Sequence, residues 1–414
     1  MKDKILTHLN HPDKLERLYR ANKVEFRKAF GPLYPQLKGN TIADCWNERL
    51  SYEGDDLNWG SPGEWLFVIG ASLVAAFTAK LPKIFAISED FFFPRNIGFV
   101  VFPVLIAYFA WKYKLSVRKI ATVVFAGLVG LVFINYLPDM KTSDTLQLSC
   151  IHLVLFLWAL LGFTFIGNEQ NNMEKRLAYL KYNGDLVVMT AVMAIAGGLM
   201  TAITIGLFKV IGFDIQAFYF EYIVFSGLAA APLIGTFLTQ TNPQLVGKVS
   251  PVIARIFSPL VLVMLVIYLT AMVFSGKDPY NDRAFLLIFN VLLIGVMALI
   301  FFSVADASKT TRTRAENWVL FLLSGITAIV NVIALSAILF RISEWGITPN
   351  RLAVLGSNVL ILIHLLLVFR QLFRVASGKA ELSAIGKSIC SYLPVYVIWT
   401  IIVTFIFPFI FQFK

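Results

Sequence analysis

The sequence predicts an all-α protein: a polytopic transmembrane helix bundle of about eleven helices behind a small soluble N-terminal helical arm. Three observations carry that expectation. Hydrophobic residues make up 58% of the 414 residues and charged residues 15%, against roughly 45–50% and about 25% in a soluble domain. Apolar runs long enough to cross about 30 Å of hydrocarbon recur through the chain. The first 64 residues stand apart, with ten Lys/Arg, ten Asp/Glu and no such run.

The arm, residues 1–64, reads as short helices with narrow apolar faces. Pro12 and Asp13 suit a first helical turn, and Leu15, Leu18, Tyr19, Phe26 and Phe30 follow on one face. Gly31-Pro32 stops that helix. Asn40 is placed to cap a second helix carrying Ile42, Cys45, Trp46 and Leu50. The stretch from Gly54-Asp55-Asp56 to Gly63 reads as loop. No apolar signal segment stands in the first twenty residues, so the first membrane helix is expected to serve as its own insertion signal.

The bundle, residues 65–414, is expected to cross at about 65–85, 97–113, 119–137, 147–166, 185–208, 217–239, 252–275, 284–303, 317–341, 351–373 and 390–412. Backbone groups in lipid must bond within their own segment, which makes these helices. The first is the weakest, with Lys80, Pro82 and Lys83 near its end. With the N-terminus inside, the inner segments hold 26 Lys/Arg and the outer segments 10, the whole complement of 36. The positive-inside rule thus favours a cytoplasmic N-terminus and an external C-terminus. The net charge of +11 sits in short clusters between apolar runs, unlike a nucleic-acid footprint. Cys45, Cys150 and Cys390 are too scattered for a disulfide framework or a zinc site.

Gly227, Ala231 and Gly235 put small residues on one face of the sixth span, which permits close helix packing. Pro103, Pro232 and Pro259 each remove a backbone donor within a span. Such breaks mark plain kinks, or binding sites in transporters. No internal repeat is evident.

Ionisable or strongly polar groups within spans are few: Glu221 and His152 near outer ends, and His364, Asn290, Asn331 and Asn358 deeper. Asn331, Asn358 and His364 admit two readings. They could line a polar cavity together, where a histidine could carry a proton, or they could bond between helices and hold the bundle. No nucleophile elbow, zinc-protease helix, P-loop or dinucleotide fingerprint is found, and no carboxylate pair sits in a span. His8 and His11 lack a third ligand nearby. No catalytic residue, metal site or cofactor is therefore expected.

The loop Arg341-Ile-Ser-Glu344-Trp345-Gly346-Ile-Thr348-Pro349-Asn350-Arg351 is the densest in chemistry. Gly346 permits a tight turn, Thr348 can cap the next helix with Pro349 at its first position, and Glu344 can pair with either arginine. It reads as a stapled turn, or as an anion or headgroup site built from Arg341 and Arg351. Its pattern, Arg341, Glu344, Trp345, Gly346, Thr348 and Arg351, resembles a family of bacterial polytopic membrane proteins, the domain-of-unknown-function group forty-one-fifty-three. The arm segments Leu15–Arg20, Phe26–Phe30 and Cys45–Leu50 are similar to Bacteroidota-type members, and Trp345 stands where many relatives carry tyrosine. The resemblance implies a bacterial inner-membrane location and no particular activity.

Two function classes follow. One is a non-enzymatic scaffolding, sensing or envelope-linked protein with a tightly packed bundle and an arm that meets a cytoplasmic protein. The other is a carrier for a small solute or lipid, with a polar cavity among the later helices. The lipid bilayer is the expected partner in both, nucleic acid in neither, and the oligomeric state is left open.

Overall fold

The structure, a computed structural model, describes residues 1–51, 59–140, 142–169, 172–247, 249–274, 280, 283–306 and 313–414. The chain divides into two compact units, Met1–Trp59 and Gly60–Lys414. Gly54, Asp55 and Asp56 lie outside the described residues, as do Lys141, Lys248, Lys277, Lys309 and Arg312 of the topology count.

The first unit holds five helices, α1 (Lys2–Thr7), α2 (Pro12–Ala21), α3 (Lys23–Phe30), α4 (Tyr34–Leu37) and α5 (Thr41–Ser51). The single helix expected from Pro12 to Phe30 is broken at Asn22, whose Oδ1 accepts the Glu25 N–H at 3.0 Å and starts a new helix. The break lets Phe26 and Phe30 turn back onto Leu15, Ala43 and Trp46, and these buried side chains form the unit's own core. Asn40 Oδ1 accepts the Ile42 and Ala43 N–H groups at 3.0 and 3.1 Å and caps α5. The apolar face of α5 runs through Ala43 and Trp46, while Cys45, expected on that face, is exposed on its flank. Glu16 binds Arg20 at 2.8 Å and Arg49 at 3.0 Å, tying α2 to α5. The hydrogen bond from Arg20, with Arg49 beside it, holds the Glu16 carboxyl below its usual range.

The second unit has the architecture of a multi-pass membrane protein: among the described residues, eleven helices are long and apolar enough to cross a bilayer. They are α6 (Pro62–Ile84), α7 (Glu89–Lys112), α8 (Val117–Tyr136), α9 (Asp144–Phe165), α10 (Met173–Val210) and α11 (Gln216–Thr241). After a short α12 (Pro243–Gly247) come α13 (Val249–Phe274), α14 (Arg283–Asp306), α15 (Arg314–Trp345), α16 (Pro349–Ala376) and α17 (Leu382–Ile410). The outward side chains are apolar, with Leu66 74%, Val132 66% and Ile195 74% exposed, a surface that hydrocarbon solvates and water does not. With 38 residues, α10 is about 57 Å long, well beyond one hydrocarbon core.

Two cores meet within the bundle. Val68, Val104, Phe109, Leu161 and Phe237 join α6, α7, α9 and α11. Phe289, Leu323, Leu365 and Ile389 join α14, α15, α16 and α17. Trp158 of α9 packs against both, and its indole N–H donates to Asn183 of α10 at 2.8 Å.

The helix ends sort into two sets. At one end Glu64 of α6 takes a hydrogen bond from Tyr108 at 2.7 Å and pairs with Lys112 at 3.2 Å, both on α7. The Ser116 N–H before α8 donates to Asn168 after α9 at the same end. At the other end Lys80 and Lys83 of α6 both engage Glu221 of α11. There too the Thr145 N–H at the start of α9 donates to the Lys414 carbonyl at 3.0 Å. Leu148 packs with Ala353 and Phe407 there, so α9 and α16 start where α17 finishes. Successive helices thus alternate in direction.

Proline breaks are covered by neighbours. Pro408 has no N–H for the carbonyl four residues earlier, that of Thr404. The buried Ser149 hydroxyl of α9 donates to that carbonyl at 2.9 Å, next to a π-turn at Ile402–Ile406. Pro394 likewise frees the Cys390 carbonyl, and Arg176 of α10 donates to it at 3.4 Å. In hydrocarbon an orphan carbonyl is costly, so both bonds repair the backbone and join helices at once.

Candidate functional site

The polar residues expected in the later spans are all inside the protein: Asn331 and His364 are fully buried and Asn358 nearly so. Asn331 and Asn358 pair with each other, while His364 pairs with Tyr396. Asn331 of α15 donates through Nδ2 to the backbone carbonyl of Asn358 on α16 at 3.1 Å. His364 turns elsewhere, its Nδ1 lying 3.0 Å from the Tyr396 hydroxyl of α17. The separation has a simple cause: residues six apart on a helix point about 240° apart. Around His364 the site is apolar and aromatic, with the Phe301 and Tyr392 rings at 4.6 and 4.5 Å. Tyr396 in turn donates to the Met297 sulfur at 3.4 Å. Three atoms in these pairs have no hydrogen-bond partner: Asn331 Oδ1, Asn358 Nδ2 and His364 Nε2.

Of the other polar positions, Asn290 keeps its Oδ1 buried with no hydrogen-bond partner among the described residues, while His152 and Glu221 are engaged near helix ends. The Nδ1 of His152 lies 2.9 Å from the Leu148 carbonyl one turn back. Glu221 sits in a π-turn, Tyr219–Val224, between Lys80 and Lys83, so the two cations that weaken the first span in the sequence share one carboxylate there. Of the small-residue face, Gly235 lies tight against α10, where an added Cβ would stand 3.1 Å from Leu186, while Gly227 meets nothing.

The loop from Arg341 to Arg351 is a turn between two helices. Arg341 and Glu344 lie in the last turns of α15, and Gly346 ends it at φ +74°, a conformation that favours glycine. Thr348 accepts the Arg351 N–H at 3.3 Å with Pro349 at the first helical position. Arg351 Nη1 donates to the Trp345 and Gly346 carbonyls at 2.8 and 2.7 Å. Both guanidinium groups lie over the Trp345 ring, Arg341 at 5.2 Å and Arg351 at 5.6 Å. Glu344 is exposed and pairs with neither arginine among the described residues, because Arg351 is drawn instead to the end of α15. Arg351 therefore caps α15, and its Nη1 hydrogens are committed to that.

Two buried cations escaped the sequence reading. Arg95 of α7 donates through Nη1 to the Ile134 and Leu137 carbonyls at 2.8 and 3.1 Å, and through Nη2 to Asp139 at 3.1 Å. Lys119 of α8 donates to the Gly167 carbonyl and lies 4.0 Å from the centre of the Phe163 ring. Both sit near helix ends, and α7 begins at Glu89, eight residues before the apolar run at 97, so Arg95 reads as a loop residue in the sequence. Beside it, Asn96 and Asn135 exchange side-chain hydrogen bonds at 2.9 and 2.8 Å, joining α7 to α8.

A cavity of about 540 Å³ opens between α7 and α9, next to Arg95, and its lining includes none of Asn331, Asn358 and His364. Among the described residues no group of three or more His, Cys, Asp or Glu is placed to hold a metal ion. Set against protein-family models, curated proteins and solved structures, the chain matches none.

Proposed function

We propose that this chain is a non-enzymatic, multi-pass protein of a bacterial inner membrane, with a scaffolding, sensing or envelope-linked role. In this reading the bundle is an anchor, and the arm lies in the cytoplasm and meets a protein partner. The family resemblance supports the location, and the distribution of Lys and Arg supports the orientation. One observation carries the role: four polar side-chain pairs in the bundle join neighbouring helices. Asn331 with Asn358, His364 with Tyr396, Asn96 with Asn135 and Trp158 with Asn183 each bridge two helices. The arm's separate core supports a docking role for that unit.

A carrier is the second reading. It rests on the unpartnered atoms of Asn331, Asn358 and His364, which water or a solute could satisfy. Single cysteines at positions 331, 358 and 364, treated with a membrane-impermeant thiol reagent in native membranes, separate the two. The scaffold reading expects labelling only after denaturation. Labelling of all three in the folded protein supports the carrier instead.

A further inference from the structure

We infer that the cavity between α7 and α9 holds a membrane phospholipid with a primary-ammonium headgroup, of the phosphatidylethanolamine class. The cavity has two chemically distinct parts. One part is its charged and amide lining residues, Asp90, Arg95, Asp139 and Gln147, with Arg95 paired to Asp139 at 3.1 Å. The other part continues along the spans over Ile97, Ile151 and Val154, of which Ile97 is 48% and Ile151 61% exposed. A polar pocket running into an exposed apolar groove at one end of the bundle fits an amphiphile, with its headgroup in the pocket and an acyl chain along the groove.

The charges choose the headgroup. Arg95 is 3% exposed, and its Nη1 is committed to the Ile134 and Leu137 carbonyls while Nη2 gives one hydrogen to Asp139. A guanidinium has five N–H donors, so its Nε–H and the second Nη2 hydrogen have no hydrogen-bond acceptor among the described residues, the group's face lying 4.3 Å from the Phe91 ring centre. They can donate to a phosphate oxygen. Asp90, in the first turn of α7, is exposed and forms no hydrogen bond or ion pair among the described residues. Asp139 gives Arg95 one carboxylate oxygen and keeps its side chain 58% exposed. Two carboxylates beside one partly committed guanidinium would repel a purely anionic headgroup. They match a headgroup that carries a phosphate and an ammonium able to donate three hydrogen bonds. A quaternary choline offers no N–H donor to Asp90, and a phosphoglycerol offers no cation.

The test uses the full-length protein in detergent. The lipids are added singly as dioleoyl phosphatidylethanolamine, phosphatidylcholine or phosphatidylglycerol, and free phosphoethanolamine serves as the headgroup alone. Retained lipid is counted by native mass spectrometry, and the melting temperature is recorded in parallel. Phosphatidylethanolamine is expected to be retained on the order of tenfold more than the other two lipids and to raise the melting temperature. Asp90→Asn is expected to remove that preference, and its lipid-free melting temperature is recorded as the control for the lost charge at the start of α7. Arg95 is unsuitable because it also caps α8, so Val154→Trp, which fills the groove and leaves the charges in place, is the second variant. It is expected to abolish retention of all three lipids. Equal retention of phosphatidylcholine, or a preference that survives Asp90→Asn, overturns the proposal. So does stabilisation by free phosphoethanolamine equal to that of the lipid, which would make the ligand a soluble one.

Discussion

Replacing Ser149 with alanine probes the repair of a proline break inside the bundle. The Ser149 hydroxyl is the donor to the Thr404 carbonyl, both residues are fully buried, and Pro408 has no N–H to offer in its place. A net hydrogen bond contributes about 0.5–1.5 kcal/mol, and stranding a buried acceptor costs about 1–3 kcal/mol. Side-chain hydrogen bonds between membrane helices average nearer about 0.6 kcal/mol. The expected loss for Ser149→Ala is therefore on the order of 1–2 kcal/mol. The mechanism makes a sharper claim through a double-mutant cycle. Pro408→Ala restores an N–H within reach of the Thr404 carbonyl, so Ser149→Ala should then cost about 0.5 kcal/mol or less. Reversible unfolding in mixed detergent micelles, followed by circular dichroism, reads all four corners. An equal cost for Ser149→Ala in both backgrounds would refute the reasoning, because the serine would then be doing something other than serving the orphan carbonyl.

The arm carries a pH prediction. Folding lowers the Glu16 pKa, so its ion pairs contribute stability at neutral pH, and that contribution is lost as pH falls below the ordinary glutamate range near about 4.3. Glu16→Gln should raise amide exchange in α2 and α5 about twofold to fivefold at pH 7, after correction for intrinsic rates, with an effect that shrinks as pH falls below the ordinary glutamate range. Gly356 faces the Trp399 ring, which leaves no room for a methyl group. In Gly356→Ala, over-packing of about 1–3 kcal/mol should outweigh the gain of about 1 kcal/mol in helix propensity, with a lower melting temperature as the readout. Arg351→Ala removes the cap on the Trp345 and Gly346 carbonyls and should cost about 1–2 kcal/mol. Stabilisation of the wild type by added phosphate that is lost in Arg351→Ala would assign Arg351 to an anion site instead.

Most of the fold is legible in the sequence because lipid solvates apolar side chains and forces helices, so length and hydropathy suffice to place all eleven spans. Ends are less legible. Glu89–Asn96 adds two turns to α7 in which Phe91, Phe92 and Phe93 are bracketed by Glu89, Asp90, Pro94, Arg95 and Asn96, too polar a stretch to extend the apolar run, and that is where Arg95 hides. Residue-to-residue partners are not legible, because they depend on which helices are neighbours. Asn331, Asn358 and His364 stand out in the sequence as polar residues in apolar runs. Their division into two pairs follows only once α15 is on one side of α16 and α17 on another. Ser149 and Arg176 are ordinary as single letters, and their roles emerge when α17 brings Pro408 and Pro394 beside them. A rule was nonetheless available: every proline within a span frees a carbonyl four residues earlier, and a donor on a neighbouring helix should be sought for it.

Threading of the chain through a bilayer, with helix ends sorted to opposite faces, is directly measurable. A background without Cys45, Cys150 and Cys390 allows single cysteines at Lys114, between α7 and α8, and at Lys414. In sealed vesicles of one orientation, a membrane-impermeant maleimide should label one of the two positions, and the other only after the membrane is permeabilised. Labelling of both in intact vesicles would contradict the account.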